Sequence, residues 1–382
     1  MASCFEQEDS LFNFVVRDGN GVKGLVDSGL SKVPDQYIQP PNERIPEKMI
    51  SNSPISIIDH QLHTPIDISL LDGPSHDQVA EAIVKAAESF GFFQVVNHGV
   101  PVELLESLKE SAHRFFEQPP EKKAVYRKGA SPSPFVKYGT SFVPDKEKAL
   151  EWKDFISMTY TTDGDALNYW PNHFKEGALE YLKTASEMVK KILEVLIGAF
   201  GVIADESIVD LVDALTGSKM VNINFYPTCP NPDLTIGVGR HSDVGTLTVL
   251  LQDGIGGLFV KLEEVEEECG KQKKGGAEEP QWMEITPIPS ALVINVGDTL
   301  QIVSNGRYKS AEHRVRTTST QSRVSIPLFS APLPTQKIGP LPEVVDADGV
   351  ARYRDFVFGD YLNNFFGNTH EGKKALDFAK IT

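Results

Sequence analysis

The sequence predicts an α+β protein in which a mainly helical region is followed by a β-barrel or β-sandwich. Up to about residue 215, apolar residues recur with the helical period of about 3.6, and from residue 218 they alternate with the strand period of two. The later strands follow one another with turn residues between them and without intervening helices, which is typical of a barrel or sandwich. The 382 residues, 40% hydrophobic and 24% charged, suit an ordinary globular protein.

Three helices and one buried strand are predicted in the first half of the chain. Ser75 and Gln78 stand at the spacing of a capping box, which indicates the start of the first helix. Pro101 suits the first position of the second helix, where its missing N–H costs nothing. The predicted helices cover residues 75–91, 101–117 and 177–200, and the strand covers FFQVVNHGV at 92–100.

The strand region begins with MVNINFYP at 220–227, where apolar and polar residues alternate cleanly. Each further strand is rich in β-branched and aromatic residues and is bounded by turn residues. A helix over RDFVFGDYLNNFF (354–366) is expected to cover the barrel. The further strands are predicted in TLTVLLQD (246–253), GLFVKL (257–262), QWMEI (281–285), ALVINVGDTLQIV (291–303), EHRVR (312–316) and RVSIPLFS (323–330).

These patterns divide the chain into four regions. Residues 1–53 form a lead-in of irregular chain with loose ends, which we expect to pack on a later domain. Residues 54–215 are mainly helical, residues 216–334 hold the strands, and residues 335–382 form a C-terminal covering segment. The charged stretch at 263–281 interrupts the strands and is expected to be an exposed loop without a function of its own.

The charge and cysteine content limit the partners and the compartment. With 37 basic and 53 acidic residues the net charge is −16, which disfavours a nucleic-acid or anionic-membrane partner. Three scattered cysteines fit a reducing compartment, and no signal peptide or membrane-spanning apolar run is recognisable. We therefore expect a cytoplasmic monomer.

Two metal-binding side chains, His241 and Asp243, stand one residue apart and would share one face of a strand. Alone, His-x-Asp is a common tripeptide without meaning. His313 follows after 69 intervening residues. Two imidazoles and one carboxylate form the facial triad that holds non-haem Fe(II) with open coordination positions. Zinc accepts the same ligand types, although its catalytic sites usually keep only one position open.

Nine residues separate Arg323 from His313, and Ser325 and Phe329 share the strand face of Arg323. If this face lines the barrel interior, the buried guanidinium requires a carboxylate partner. The carboxylate belongs either to the protein, as a structural ion pair, or to a ligand that is held bidentate with help from the Ser325 hydroxyl. These residues alone favour neither alternative.

Together, these motifs resemble the plant 2-oxoglutarate- and Fe(II)-dependent dioxygenases. The resemblance covers residues 54–366 and implies a distorted double-stranded β-helix (jelly roll) core flanked by helices. It makes 54–215 the N-terminal dioxygenase region and 216–334 the Fe(II)/2-oxoglutarate domain. The 263–281 loop lengthens the gap between the second and third metal ligands beyond the family pattern. The motifs are HSD at 241–243, His313, RVS at 323–325, NINFYPTCP at 222–230 and GFFQVVNHGVP at 91–101.

The resemblance also implies the cofactors and their binding residues. Fe(II), 2-oxoglutarate and O2 are expected, with ascorbate in support, and no catalytic side chain is needed beyond the metal centre. The implied iron ligands are His241, Asp243 and His313. The residues implied to hold the distal carboxylate of 2-oxoglutarate are Tyr226, Arg323 and Ser325, with Asn224 as a further candidate at the cosubstrate's metal end.

Within the family, residues 11–34, 137–155, 237–243 and 360–367 resemble the coumarin-forming branch. This resemblance implies hydroxylation of scopoletin at C8 to fraxetin, with release of succinate and CO2, in coumarin biosynthesis and iron acquisition. A small flat substrate asks for an aromatic slot with a few polar groups. The substrate-pocket candidates are Phe329, Asn222, Tyr138, Phe142 and Trp152, and ordinary core packing is the alternative for each aromatic residue.

Three alternatives remain open from the sequence. The first is ortho-hydroxylation of feruloyl-CoA to form scopoletin, with Lys137, Lys146, Lys148 and Arg240 available for the phosphates of coenzyme A. The second is another phenylpropanoid or flavonoid dioxygenase. The third is a barrel that binds a metal or small acid without turnover, although such a protein would not need open metal positions.

Overall fold

The computed structural model describes residues 8–45, 64–140, 149–262, 282–367 and 372–381. In these ranges a mainly helical region precedes a strand-rich region, as the sequence predicts. Three features named above, Phe142, the pair Lys146 and Lys148, and the 263–281 loop, lie outside the described residues. No helix in the described ranges combines the length and the apolar content that crossing a bilayer requires.

Most α-helices of the described ranges precede Ser218, one lies between Val296 and His313, and two follow Ala331. Short 3-10 turns connect several elements, including one at Lys373–Phe378 near the C-terminus. In chain order the α-helices are α1 (Glu8–Phe12), α2 (Gly21–Asp27), α3 (His76–Ser89), α4 (Val102–Phe116), α5 (Pro120–Ala124), α6 (Asp163–Tyr169), α7 (Lys175–Gly198), α8 (Asp205–Leu215), α9 (Asp298–Val303), α10 (Pro342–Asp348) and α11 (Phe358–Gly367).

The strands form a large sheet, a smaller sheet and a short pair. They are β1 (Ile66–Asp67), β2 (Phe92–Val96), β3 (Val136–Gly139), β4 (Asp154–Thr159), β5 (Ser218–Tyr226), β6 (Val238–His241), β7 (Leu247–Gln252), β8 (Leu258–Lys261), β9 (Trp282–Glu284), β10 (Leu292–Val296), β11 (His313–Val315), β12 (Arg323–Ala331), β13 (Lys337–Ile338) and β14 (Phe356–Val357). The orders are β1-β2-β10-β7-β12-β5-β4-β3, β6-β11-β8-β9 and β13-β14. Only β1 and β2 pair in parallel among these strands.

The two faces of the eight-stranded sheet differ in chemistry. Residues paired across antiparallel strands point to the same side, so Val324 shares a face with its partner Phe225. That face is apolar, belongs to the main hydrophobic core and is contacted by α4 and α7. On the opposite face, Ser325 lies between Asn224 and Gln252. Alternate side chains of each strand therefore point into the hydrophobic core on one face and into a polar interior on the other.

Three local predictions differ from the structure. The Ser75 side chain makes no capping hydrogen bond at the start of α3. Pro101 occupies the N-cap of α4 and not its first helical position. The predicted strand at 291–303 ends at Val296, and its second half is α9. Gly297 and Asp298 interrupt the apolar run there, and both residue types favour a helix start over a continuing strand.

The N-terminal segment 8–45 packs on the barrel and is not irregular, because it contains α1 and α2. Its apolar residues share a buried cluster with Trp152. Asp154 of β4 is fully buried, and its carboxylate accepts the backbone N–H groups of Val22 at 2.7 Å and Lys23 at 2.9 Å. These N–H groups belong to the first turn of α2 and have no partner within that helix, so Asp154 fastens the segment to the sheet.

Candidate metal and cosubstrate site

Three side chains with metal-binding chemistry converge between the two sheets. One ligand atom from each of His241, Asp243 and His313 lies within 4.8 Å of the others. The two histidines pair in register across β6 and β11, and their ring centroids are 4.1 Å apart. Asp243 does not share a strand face with His241 as predicted, because β6 ends at His241. The loop that follows brings its carboxylate back to the rings.

Backbone carbonyl groups orient both imidazole rings. The Nδ1 atom of His241 lies 2.8 Å from the Gly239 oxygen, and that of His313 lies 3.2 Å from the Ala311 oxygen. When each Nδ1–H donates to its carbonyl group, each Nε2 keeps a lone pair. The Nε2 atoms stand 3.6 and 3.7 Å from Oδ1 of Asp243. The three atoms thus enclose a space in which a single cation can be bound.

The second oxygen of Asp243 is held by two donors that sequence reasoning missed. Oδ2 accepts a hydrogen bond from Thr248 Oγ1 at 2.6 Å and another from Asn295 Nδ2. These bonds leave Oδ1 directed towards the histidines, as supporting hydrogen bonds do around protein metal ligands. A signal was present in the sequence, because both residues are polar interruptions within the apolar strands TLTVLLQD and ALVINV.

Arg323 lies on the same sheet face with an incomplete set of partners. Its side chain is 1% exposed, its Nη2 donates to Gln252 Oε1 at 2.8 Å, and its Cζ lies 5.0 Å from the ring centroid of Tyr226. Its Nε and Nη1 atoms have no hydrogen-bond partner among the described residues. No described carboxylate forms an ion pair with it, so the structural ion pair considered above is not seen. A buried cation with free donors calls for an anionic ligand.

The remaining cosubstrate candidates are Tyr226, Ser325 and Asn224. They lie on the same sheet face as Arg323, either in its own cross-strand pair or in the next pair on that face. Tyr226 pairs with Arg323 across the strands, and its hydroxyl is 3.3 Å from Ser325 Oγ. Asn224 pairs with Ser325, and its Oδ1 accepts from Asn222 Nδ2 at 2.9 Å. The amide NH2 group of Asn224 is a separate donor of the kind that a ligand oxygen can accept from.

The structure brings only some of the substrate candidates to this face. Phe329 pairs with Thr248, the residue that holds Asp243, and Asn222 lies further along the polar face of β5. Tyr138 pairs with Ile156 on the opposite, core-facing side. Trp152 is fully buried beneath the N-terminal segment, where its Nε1 donates to the Pro227 oxygen at 3.2 Å. Neither Tyr138 nor Trp152 lines the interior that holds the triad.

Comparison with known families and proteins agrees with this geometry. Residues 217–332 match the 2OG-Fe(II) oxygenase superfamily, and residues 65–176 match the N-terminal domain described as non-haem dioxygenase in morphine synthesis. The chain is 60% identical over 380 residues to scopoletin 8-hydroxylase of Arabidopsis thaliana, covering 100% of this chain and 99% of that protein. It is 45% identical over 372 residues to a feruloyl CoA ortho-hydroxylase of Ipomoea batatas, covering 97% of each.

Solved structures with the same fold are also similar. JOX2, crystallised with 2OG, Fe and JA, has 30% identity and a TM-score of 0.76, covering 94% of this chain and 97% of that one. The rice dioxygenase for auxin oxidation has 24% identity and a TM-score of 0.66, covering 83% of this chain and 99% of that one. These matches confirm the predicted double-stranded β-helix.

Proposed function

The chain belongs to the 2OG-Fe(II) oxygenase superfamily and is a 2-oxoglutarate-dependent dioxygenase, and we propose that it hydroxylates scopoletin at C8 to give fraxetin. In the balanced reaction, scopoletin, 2-oxoglutarate and O2 yield fraxetin, succinate and CO2. One oxygen atom enters the ring and the other enters succinate. Because fraxetin is a catechol and catechols bind ferric iron, we further propose a role in iron acquisition.

The proposed iron ligands are His241, Asp243 and His313. Their donor set of two imidazoles and one carboxylate fits Fe(II) and leaves coordination positions for a chelating keto acid and O2. When bound, the metal supplies the redox chemistry that couples oxidation of the keto acid to hydroxylation. The protein contributes fixed ligand geometry, because Thr248 and Asn295 hold the far oxygen of the carboxylate.

The observation that carries the cosubstrate assignment is the incomplete pairing of Arg323. Within the described part of the chain, two nitrogen donors of its buried guanidinium have no partner, on the polar face that leads to the triad. A guanidinium fork binds a carboxylate through two parallel hydrogen bonds. We therefore assign the distal carboxylate of 2-oxoglutarate to Arg323, with Ser325 and Tyr226 adding their hydroxyl groups. The NH2 group of Asn224 would donate nearer the metal end.

Two observations favour scopoletin over feruloyl-CoA. First, the relative named for scopoletin is 60% identical, against 45% for the feruloyl CoA relative. Second, Arg240 is not a free cation for phosphates. Its Nε lies 3.0 Å from Glu43, and its Nη1 lies 3.6 Å from Glu312. A neutral aromatic substrate needs no such cation, and Phe329 and Asn222 offer it an apolar surface and an amide.

The binding partners, the cellular location and the domain limits are proposed from the net charge, the cysteine content and the family matches. The net charge of −16 supports an enzyme that binds neither nucleic acid nor an anionic membrane. A free, buried thiol at Cys229 is compatible with a reducing cytoplasm. We propose a monomer with an N-terminal region over 54–215 and an Fe(II)/2-oxoglutarate domain over 216–334, to which the family matches at 65–176 and 217–332 correspond.

The proposal is tested by incubating purified protein with Fe(II), ascorbate, 2-oxoglutarate and air. Parallel reactions contain scopoletin, feruloyl-CoA or no substrate, and mass spectrometry measures the product together with succinate. The Asp243→Ala variant serves as the matched control. Fraxetin and succinate in equal amounts, formed only from scopoletin, would support the proposal.

Three other outcomes would redirect it. Scopoletin formed from feruloyl-CoA would assign the enzyme to the preceding reaction while keeping the mechanism. Succinate formed slowly without either product would leave a phenylpropanoid or flavonoid dioxygenase with a different substrate. Complete absence of succinate in every reaction would favour a non-catalytic barrel.

A further inference from the structure

The loop that carries Asp243 is held by the first turn of α9. Backbone N–H groups of residues 297–299 donate to carbonyl oxygens within residues 243–246 at 2.7, 3.0 and 3.1 Å. The shortest of these bonds joins Asp298 N to the Asp243 oxygen. Gly297 permits this close approach, because a Cβ atom there would collide with the Gly245 oxygen. These hydrogen bonds therefore hold the loop that carries Asp243 against the N-terminus of α9.

The side chain of Asp298 extends this support to a second element. It is fully buried, and its Oδ2 accepts from Ser242 Oγ at 3.1 Å and from the Tyr361 hydroxyl at 2.7 Å. Ser242 lies between the metal ligands His241 and Asp243 in the chain. A continuous hydrogen-bonded path thus runs from Tyr361 on α11 through Asp298 to the loop between two metal ligands.

The C-terminal segment fixes the position of Tyr361. The Tyr361 ring is fully buried and packs against Phe356 at 5.4 Å and Phe378 at 5.9 Å between ring centroids. The same segment also contacts β6, because Gly372 forms an isolated β-bridge with His241 at the end of that strand. Residues after 356 therefore contact the metal-ligand region at two separate places.

We propose that Tyr361 is a positioning residue for the metal centre and that it acts on Asp243 through Asp298 and Ser242. The inference rests on the metal site assigned above but not on the identity of the aromatic substrate. Without the Tyr361 hydroxyl, the Asp298 carboxylate loses one of its fixed donors and the loop gains freedom. Supporting residues around a metal site typically change metal affinity by about 10- to 100-fold, and a more distant one should change it by less.

The test measures Co(II) binding to the full-length protein by titration of its visible absorption bands, without any organic substrate. Tyr361→Phe removes only the hydroxyl, and Ser242→Ala removes the other end of the path. Tyr308→Phe is the matched control, because its buried hydroxyl donates to the Leu196 oxygen of α7 and not to a group of the Asp243 loop. Thermal unfolding of each variant is recorded in parallel.

We expect Tyr361→Phe to raise the Kd for Co(II) about threefold to tenfold, while Tyr308→Phe changes it less than about twofold. In the Ser242→Ala background, Tyr361→Phe should have little additional effect, because both act through the same path. Equal Kd values for Tyr361→Phe and wild type would overturn the inference. Equal rises of the Kd for Co(II) in Tyr361→Phe and Tyr308→Phe would also overturn it, because they would indicate general destabilisation.

Asp243→Ala separates failure of this inference from failure of the site itself. If this variant binds Co(II) as tightly as the wild type, the triad is not the metal site and the positioning role falls with it. If it loses Co(II) binding, the Tyr361 result decides the inference alone. The outcome with scopoletin or feruloyl-CoA affects neither reading.

Discussion

Arg323 and Gln252 are joined by one hydrogen bond of 2.8 Å, from a guanidinium nitrogen to an uncharged amide oxygen. The amide orients the guanidinium but does not neutralise it, and two nitrogen donors of the cation have no partner among the described residues. In the proposed cosubstrate assignment, the ligand carboxylate would supply the counter-ion and Gln252 would position the guanidinium. This arrangement determines which substitution is most informative.

Arg323→Lys should raise the KM for 2-oxoglutarate about 10- to 100-fold, because a lysine ammonium lacks the planar fork and cannot replace both hydrogen bonds. Succinate production at varied 2-oxoglutarate concentrations measures the effect. Arg17→Lys is the control, since that guanidinium pairs with the neighbouring Asp18 at an exposed position. An unchanged KM in Arg323→Lys would mean that Arg323 is only structural.

Asp243→Ala should abolish iron-dependent succinate formation, because two histidines alone no longer form the facial triad. The fold should remain, although the buried Asn295 amide loses its acceptor at a cost of about 1–3 kcal/mol. Circular dichroism checks the fold, and the coupled succinate assay checks turnover. Turnover that survives this substitution would contradict the assigned metal site.

Asn295→Ala should weaken metal binding about tenfold or more, because Asp243 Oδ2 then keeps only the Thr248 donor. The measurement is the Kd for Co(II) in the absence of substrate. Asn222→Ala removes another amide from the same sheet face but does not contact Asp243, so its Kd should match the wild type. Equal Kd values for both variants would show that Asn295 does not support the ligand.

Phe329→Ala should raise the KM for scopoletin about tenfold, because a half-buried ring beside Thr248 is removed from the interior face. Tyr138→Phe should leave this KM unchanged, since Tyr138 faces the core and its hydroxyl has no hydrogen-bond partner among the residues that the structure describes. Steady-state kinetics with fraxetin detection compares the two. The opposite ranking would mean that the substrate approaches from the other side of the sheet.

Asp154 predicts a pH dependence of stability. Burial raises the pKa of its carboxyl group to about 6 from the ordinary 3.8, although two backbone N–H groups favour the charged form. A native group with a raised pKa stabilises the fold below the unfolded pKa, and this contribution is lost as the pH rises through 6. Between pH 4 and 6, the free energy of unfolding should therefore fall by up to about 1.4 kcal/mol per pH unit from this group.

The matched variant is Asp154→Asn, which keeps one oxygen acceptor for the N–H groups of α2 and cannot ionise. Urea unfolding of both proteins at several pH values gives the difference in slope. Parallel curves for the two proteins over pH 4–6 would rule out Asp154 as the titrating group.

The fold class could be predicted because the change of hydrophobic period and the motifs of the resemblance depend on residue type and spacing. The proposed ligands His241, Asp243 and His313 gained weight only in combination, and the structure brings their side chains together. The role of Asn295 escaped prediction because it depends on strand pairing, which places it opposite Thr248. No local pattern encodes which residue of a distant strand becomes a neighbour.

The aromatic candidates show the same limit. Tyr138 and Phe329 are both aromatic residues on strands, yet register assigns one to the core and the other to the polar interior. The N-terminal segment packs on a later domain as predicted, but its Gly- and Pro-rich composition does not indicate that Trp152 is the residue it buries. Gly297 could have indicated the end of the predicted strand, but the β-branched residues around it favoured a strand that continues.

The alternation of side chains along β12 separates residues that pack the core from residues that line the polar interior. Val324, Ile326 and Leu328 point into the helix-covered core, whereas Arg323, Ser325 and Phe329 point the other way. Core packing and the proposed chemistry thus depend on alternate residues of one short strand. A substitution at Phe329 can therefore reshape the interior surface while the core contacts of the first set are kept.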